Sequence, residues 1–144
     1  MLDKQSIKVL AQMLKDANSL LVIDESFIDF IGNESLRDNS HSMRELINQY
    51  DNVIIVHSFT KFYAVPGLRI GAVFANPTLI QELRQYIPAW SVNTLAQAYT
   101  ESALTDTKYI NDSKMVLANE AKYMYESLSA IKDLVSISHL PIIS

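Results

Sequence analysis

Between Val53 and Ala72 the sequence leaves the chain little choice. Val53-Ile54-Ile55-Val56 is an unbroken apolar, β-branched run and reads as a buried strand, and Ile70-Gly71-Ala72-Val73-Phe74 is a second apolar run. Too few residues lie between them for a crossover helix, so the two strands are expected to be antiparallel, joined by a loop through Pro66-Gly67. That loop carries Ser58-Phe59-Thr60-Lys61, with Arg69 eight residues beyond Lys61. Polar residues released at the carboxyl end of a strand stand where α/β folds keep their ligand sites.

The flanking sequence supplies layers for such a sheet. Asp3 is expected to cap a first helix in which Ile7, Leu10, Ala11 and Leu14 share one face. Leu20-Leu21-Val22-Ile23 then reads as a short buried strand that delivers Asp24-Glu25 to its carboxyl end. Phe27-Ile28-Asp29-Phe30 continues apolar, ahead of a polar loop from Gly32 to Ser40. Ser42-Met43-Arg44-Glu45 has the S-x-x-E capping-box pattern and predicts a short helix to about Tyr50. Asn76-Pro77 sets an N-cap before a proline at the first helical position. Leu79, Ile80 and Leu83 form that helix's buried side, and it must end before Pro88. Ala89 to Asn93 is a linker in which Trp90 is expected to pack, at an interface or over the cleft. Helical residues run from Thr94 to Leu104, and Asp106 or Thr107 opens a longer helix to about Ile131. Leu134-Val135-Ser136-Ile137 alternates like a strand. This succession is α/β, but three or four strands make a thin sheet, which together with the abrupt start and end suggests a piece of something larger.

Composition removes several classes of function. A content of 49% hydrophobic residues in 144 supports a real core, and a net charge of -4 offers no basic field, so no nucleic-acid partner is expected. Without cysteine there is no disulfide, thiolate nucleophile or cysteine metal site. His41, His57 and His139 have no metal-ligand spacing, and His57 reads as a satisfied strand-end histidine. The sequence shows neither a signal-like apolar segment nor a membrane-length run, so the expectation is a cytoplasmic protein with no membrane contact.

Asp24, Ser58, Lys61 and Arg69 are expected around one cleft. A hydroxyl and a guanidinium suited to an anion, a reactive amine and a carboxylate expected to be buried together fit pyridoxal phosphate. Lys61 would condense with the aldehyde, Ser58 and Arg69 would hold the phosphate, and Asp24 would pair with the ring nitrogen and make the ring an electron sink. Glu25 is expected to have a structural partner. Ser58-x-x-Lys61 also matches serine-lysine acyl transferases, with Ser91-Val92-Asn93 as an S-x-N partner. Against that stand the strand preceding Ser58, where a helix should begin, and the lack of K-T-G. A third reading is a non-enzymatic interaction module, since the long helix with Val116, Tyr123 and Met124 can leave an apolar face bare.

Asp24-Glu25-Ser26-Phe27, Ser58-Phe59-Thr60-Lys61 and Pro66-Gly67-Leu68-Arg69-Ile70-Gly71, in that order, resemble the large domain of fold-type I, aminotransferase-family enzymes that use pyridoxal phosphate. Within that family, Phe27-Ile28-Asp29-Phe30, the run from Thr60 to Arg69 and Trp90-Ser91-Val92-Asn93 are similar to threonine-phosphate decarboxylases of cobalamin biosynthesis, with histidinol-phosphate aminotransferases the competing group. The resemblance implies a partial large domain over 1–105, built on a mostly parallel sheet with one antiparallel strand and flanking helices. It implies a connecting helix and the start of a small domain over 106–144, and a dimer. It assigns Lys61 the catalytic role, gives Asp24, Phe27, Ser58, Lys61 and Arg69 contacts to pyridoxal phosphate, and turns Asn93 toward the substrate, a phosphorylated amino acid. Decarboxylation and transamination share this machinery and differ in which Cα bond stands perpendicular to the ring. The family's Gly-rich phosphate turn and ring-stacking aromatic would lie before Met1, and its substrate-carboxylate arginine beyond Ser144. Phe27 stands where many members have tyrosine. The isolated chain is therefore expected to hold an incomplete site with little or no activity.

Overall fold

The computed structural model describes residues 3–31 and 41–131. Helix α1 (Lys4–Asp16) begins where Asp3 accepts the Ser6 backbone N–H at 2.9 Å, so the expected cap is made. Strand β1 (Leu21–Asp24) follows, then a 3-10 turn at Ile28–Phe30 and another at Arg44–Asn48. Strands β2 (Val53–Ser58) and β3 (Gly71–Ala75) come next, with helices α2 (Pro77–Arg84), α3 (Thr94–Thr105) and α4 (Thr107–Ser129) after them. Asn76 and Asp106 cap α2 and α4 as their positions predict. The expected loop at 32–40 and strand at 134–137 lie outside the described residues.

The sheet has the order β1-β2-β3. β1 runs parallel to β2, Leu21 opposite Val53 and Asp24 opposite Val56. β3 runs antiparallel to β2, with Ser58 opposite Gly71. The short 59–70 connection allowed only that direction. One face of the sheet, through Val53 and Ile55, buries against Ile7 and Ala11 of α1 and against Met43 and Leu46. Asn52 ties this layer together by donating to the carbonyls of Ala11 (3.0 Å) and Ser19 (3.1 Å), which fixes the end of α1 against the start of β2. Ile55 is fully enclosed. Ile55→Ala is expected to lower unfolding free energy by about 2–5 kcal/mol, read from denaturant melts.

Three expectations are corrected. β1 is not buried on both faces: Val22 is 59% exposed, because β1 is an edge strand and no described element covers Val22's side of it. The Ser42 capping box does not form. Ser42 Oγ donates instead to Glu25 Oε2 (2.8 Å), the Met43 N–H donates to Glu25 Oε1 (2.6 Å), and only a 3-10 turn results. Trp90 does not pack over the cleft; it is 96% exposed in a left-handed conformation (φ 61°), since no described element reaches it. On α4, Met115, Val116, Tyr123 and Met124 are all more than half exposed, and no described helix is long and apolar enough to cross a membrane.

Candidate active site

Asp24 closes β1, and its Oδ1 accepts from the Ser26 N–H (2.8 Å) and the Ser26 hydroxyl (2.5 Å), an Asx turn that fixes the carboxylate at the strand end. Those two bonds hold its pKa below the usual carboxylate value, with the charge of Lys61 adding to the effect. The carboxylate is exposed rather than buried as expected, for the reason that leaves Val22 bare. A depressed folded-state pKa contributes stability above the unfolded value, and the contribution fades as pH falls through the lowered one. Water around Asp24 keeps it small. Ser26→Ala is expected to move the Asp24 titration, followed by its carboxyl carbon shift, up toward the ordinary value. An unmoved midpoint would show that the Ser26 hydroxyl bond does not govern it.

Ser58 ends β2 with its Oγ 2.8 Å from Thr60 Oγ1. Arg69, left-handed at φ 51°, donates from Nη1 to the Pro66 carbonyl (3.1 Å) and is otherwise open to solvent. Together with Ser26, His57, Thr60 and Gly71 these residues line an open cleft of about 260 Å³. Gly71 is required there, since a Cβ would stand 2.6 Å from the His57 carbonyl oxygen. Hydroxyls and one guanidinium, with no carboxylate in the lining, suit a phosphate group. The sequence reading missed Thr60 and Ser26 as lining residues. The available signal was spacing, since each follows a site residue by two, close enough for the short-range bonds just described.

Lys61, Asp24, Phe27 and Asn93 stand outside that lining. The Lys61 amine lies over the Phe27 ring, 5.3 Å from its centroid, a cation–π contact. Phe27 is 44% exposed. Because Lys61 turns to Phe27 while Ser58 bonds Thr60, the serine–lysine pairing needed for acyl transfer is not formed. Asn93 caps α3, its Oδ1 accepting the Ala96 N–H (2.8 Å), and its Nδ2 reaches the Leu68 carbonyl at 3.5 Å. Among the described residues no group of three His, Asp or Glu side chains could hold a metal ion.

Behind the cleft runs a buried polar chain. Glu25, 4% exposed, holds Ser42 and Met43, with Arg44 Nε 3.8 Å away. Arg44 Nη2 donates to His57 Nδ1 (3.0 Å), so the ring proton belongs on Nε2, 3.0 Å from Asp29 Oδ2. That last contact is an ion-pair distance without hydrogen-bond alignment, and Asp29 Oδ2 accepts no hydrogen bond among the described residues. Glu25 and His57 thus take the structural roles expected of them.

A family profile, Aminotransferase class I and II, matches residues 1–142. The adenosylcobalamin biosynthesis bifunctional protein CobDQ of Leptospira interrogans is 41% identical over 78% of this chain and 12% of its own length. The histidinol-phosphate aminotransferase of Flavobacterium psychrophilum is 36% identical over 83% of this chain and 32% of its own. The threonine-phosphate decarboxylase of Salmonella typhimurium is 33% identical over 88% and 33%. The chain therefore spans about a third or less of the length of these relatives. Among solved structures, the histidinol-phosphate aminotransferase from Clostridium acetobutylicum superposes with a TM-score of 0.76 at 24% identity, covering 97% of this chain and 41% of that one, which shows the shared fold. The structural neighbours are fold-type I enzymes, and this chain is a partial α/β domain of that type.

Proposed function

The chain belongs to the class I and II aminotransferase family, and on that premise we propose that it supplies the lysine-bearing part of a pyridoxal-phosphate enzyme acting on a phosphorylated amino acid. Decarboxylation of L-threonine O-3-phosphate in cobalamin biosynthesis is the first reading. It is supported by the 41% identical cobalamin-biosynthesis relative and by the decarboxylase-like run around Trp90-Ser91-Val92-Asn93. Transamination of histidinol phosphate is the second, favoured by the 36% identical relative of that name.

One observation carries the proposal: a hydroxyl and guanidinium cleft formed at the end of β2, with an amine on the turn that follows and an ionised carboxylate at the neighbouring strand end. Pyridoxal phosphate, when bound, supplies an aldehyde for an amine to condense with and a ring that takes up electron density. Ser58, Thr60 and Arg69 hold the phosphate by charge-assisted hydrogen bonds. Asp24, kept ionised by Ser26, would pair with the ring nitrogen and favour its protonated form. Lys61 would be the amine that holds the aldehyde, and its amine would move a proton at the substrate carbon. Phe27 keeps that amine above its ring, and Asn93 would contact the substrate. In this reading residues 1–105 belong to the cofactor-holding domain, 106–144 lead out of it, and the exposed faces of β1 and α4 are where a second subunit and the rest of a longer polypeptide pack.

The test is titration of the chain with pyridoxal phosphate, borohydride reduction and peptide mapping, followed by assay of the polypeptide that contains it on threonine phosphate and on histidinol phosphate with a keto acid. Label concentrated on Lys61 supports the proposal. Label spread over exposed lysines such as Lys108 and Lys122, in the complete polypeptide as well, overturns it.

A further inference from the structure

The turn that carries Lys61 is held from outside by two tyrosine hydroxyls. After β2 the chain makes a single helical turn, in which the N–H of Tyr63 donates to the Phe59 carbonyl (3.3 Å), Ala64 to Lys61 (3.1 Å) and Val65 to Thr60 (3.0 Å). A turn this short leaves its last carbonyls without helical partners. Here those are the carbonyls of Phe62 and Tyr63, directly after the lysine. Tyr109 Oη, from α4, donates to the Phe62 carbonyl at 2.7 Å, and Tyr99 Oη, from α3, donates to the Tyr63 carbonyl at 3.1 Å. Both are distant in sequence, by 47 and 36 residues.

The turn needs such support. Ala64 closes it in the left-handed region at φ 54°, which is unfavourable for a residue with a Cβ. Packing supplies the rest: the Tyr109 ring stacks on Tyr63 (6.2 Å between centroids) and meets the edge of Phe62, which in turn contacts Phe30. Phe30 touches Phe27, the ring under the Lys61 amine. The amine and the Tyr109 hydroxyl are therefore attached to one continuous aromatic block.

We propose that Tyr109 and Tyr99 are positioning residues for Lys61, their hydroxyls setting the conformation of the 59–65 turn and so the place of the amine. The proposal rests on Lys61 being the reactive amine, but it can be tested with no cofactor present. Tyr109→Phe keeps the ring and removes only the hydroxyl, leaving the Phe62 carbonyl without its partner. Amide exchange at Ala64 and Val65 is expected to speed up roughly three- to tenfold, while the β2 amides hold their rates. The Lys61 ε-methylene resonance, displaced by the Phe27 ring, is expected to relax toward the value of an exposed lysine such as Lys122, and Phe27→Leu supplies the reference without that ring. Tyr99→Phe should act in the same direction and serves if Tyr109→Phe fails to fold. A Lys61 resonance unmoved in the folded variants, or exchange rising as much at Ile55 as at Val65, overturns the proposal. Failure to bind pyridoxal phosphate, with these shifts intact, would count against the functional reading alone.

Discussion

Lys61→Ala is expected to abolish site-specific capture of pyridoxal phosphate, leaving only the slow background shared by surface amines. Lys108 and Lys122 are also exposed and chemically similar, so intrinsic reactivity does not single out Lys61. Placement does. An anion held by Ser58, Thr60 and Arg69 turns capture by the amine of the next turn into an effectively intramolecular event, and that advantage vanishes with the amine. Arg69→Ala is the informative companion. It leaves Lys61 in place and removes the charged phosphate donor, so capture at Lys61 should fall roughly tenfold or more, in line with the loss of a hydrogen bond to a charged group. Equal labelling of Lys61 in wild type and Arg69→Ala would show that the cleft does not hold the phosphate.

The second large effect is on stability and falls one residue from Asp24. Glu25→Ala is expected to destabilise the fold by about 3 kcal/mol or more. It leaves the buried Ser42 hydroxyl and Met43 N–H without an acceptor and removes the carboxylate nearest Arg44, whose own link to His57 then loses its anchor. Asp24→Asn is expected to change stability by well under 1 kcal/mol, because the side chain is exposed and the amide oxygen can still accept from Ser26. Denaturant melts of the pair decide the matter: similar midpoints would mean that Glu25 does not hold the 42–44 segment, while an Asp24→Asn loss as large as that of Glu25→Ala would reverse the two roles. The aspartate is thus available for chemistry because it carries little structure, and the glutamate is not.

Much of this was readable in the residues. Asp3, Asn76, Asn93 and Asp106 cap the helices that follow them, because a cap depends on a donor only three residues away. The antiparallel pairing of β2 with β3 follows from the length of the connection, and the order of Asp24, Ser58, Lys61 and Arg69 along the strand ends from the placement of the apolar runs. What the sequence left open was every choice of partner across a long separation. Ser42 offered a local capping box, yet Glu25, 17 residues earlier, took its hydroxyl once β1 was docked beside β2. Which face of β1 stays bare, why Trp90 meets solvent, and how Tyr99 and Tyr109 reach the lysine turn all depend on how the layers come together. Interactions within one turn are encoded by spacing, since the chain cannot avoid them. Interactions across tens of residues exist only after docking selects among competing donors and acceptors, and that selection belongs to the tertiary structure.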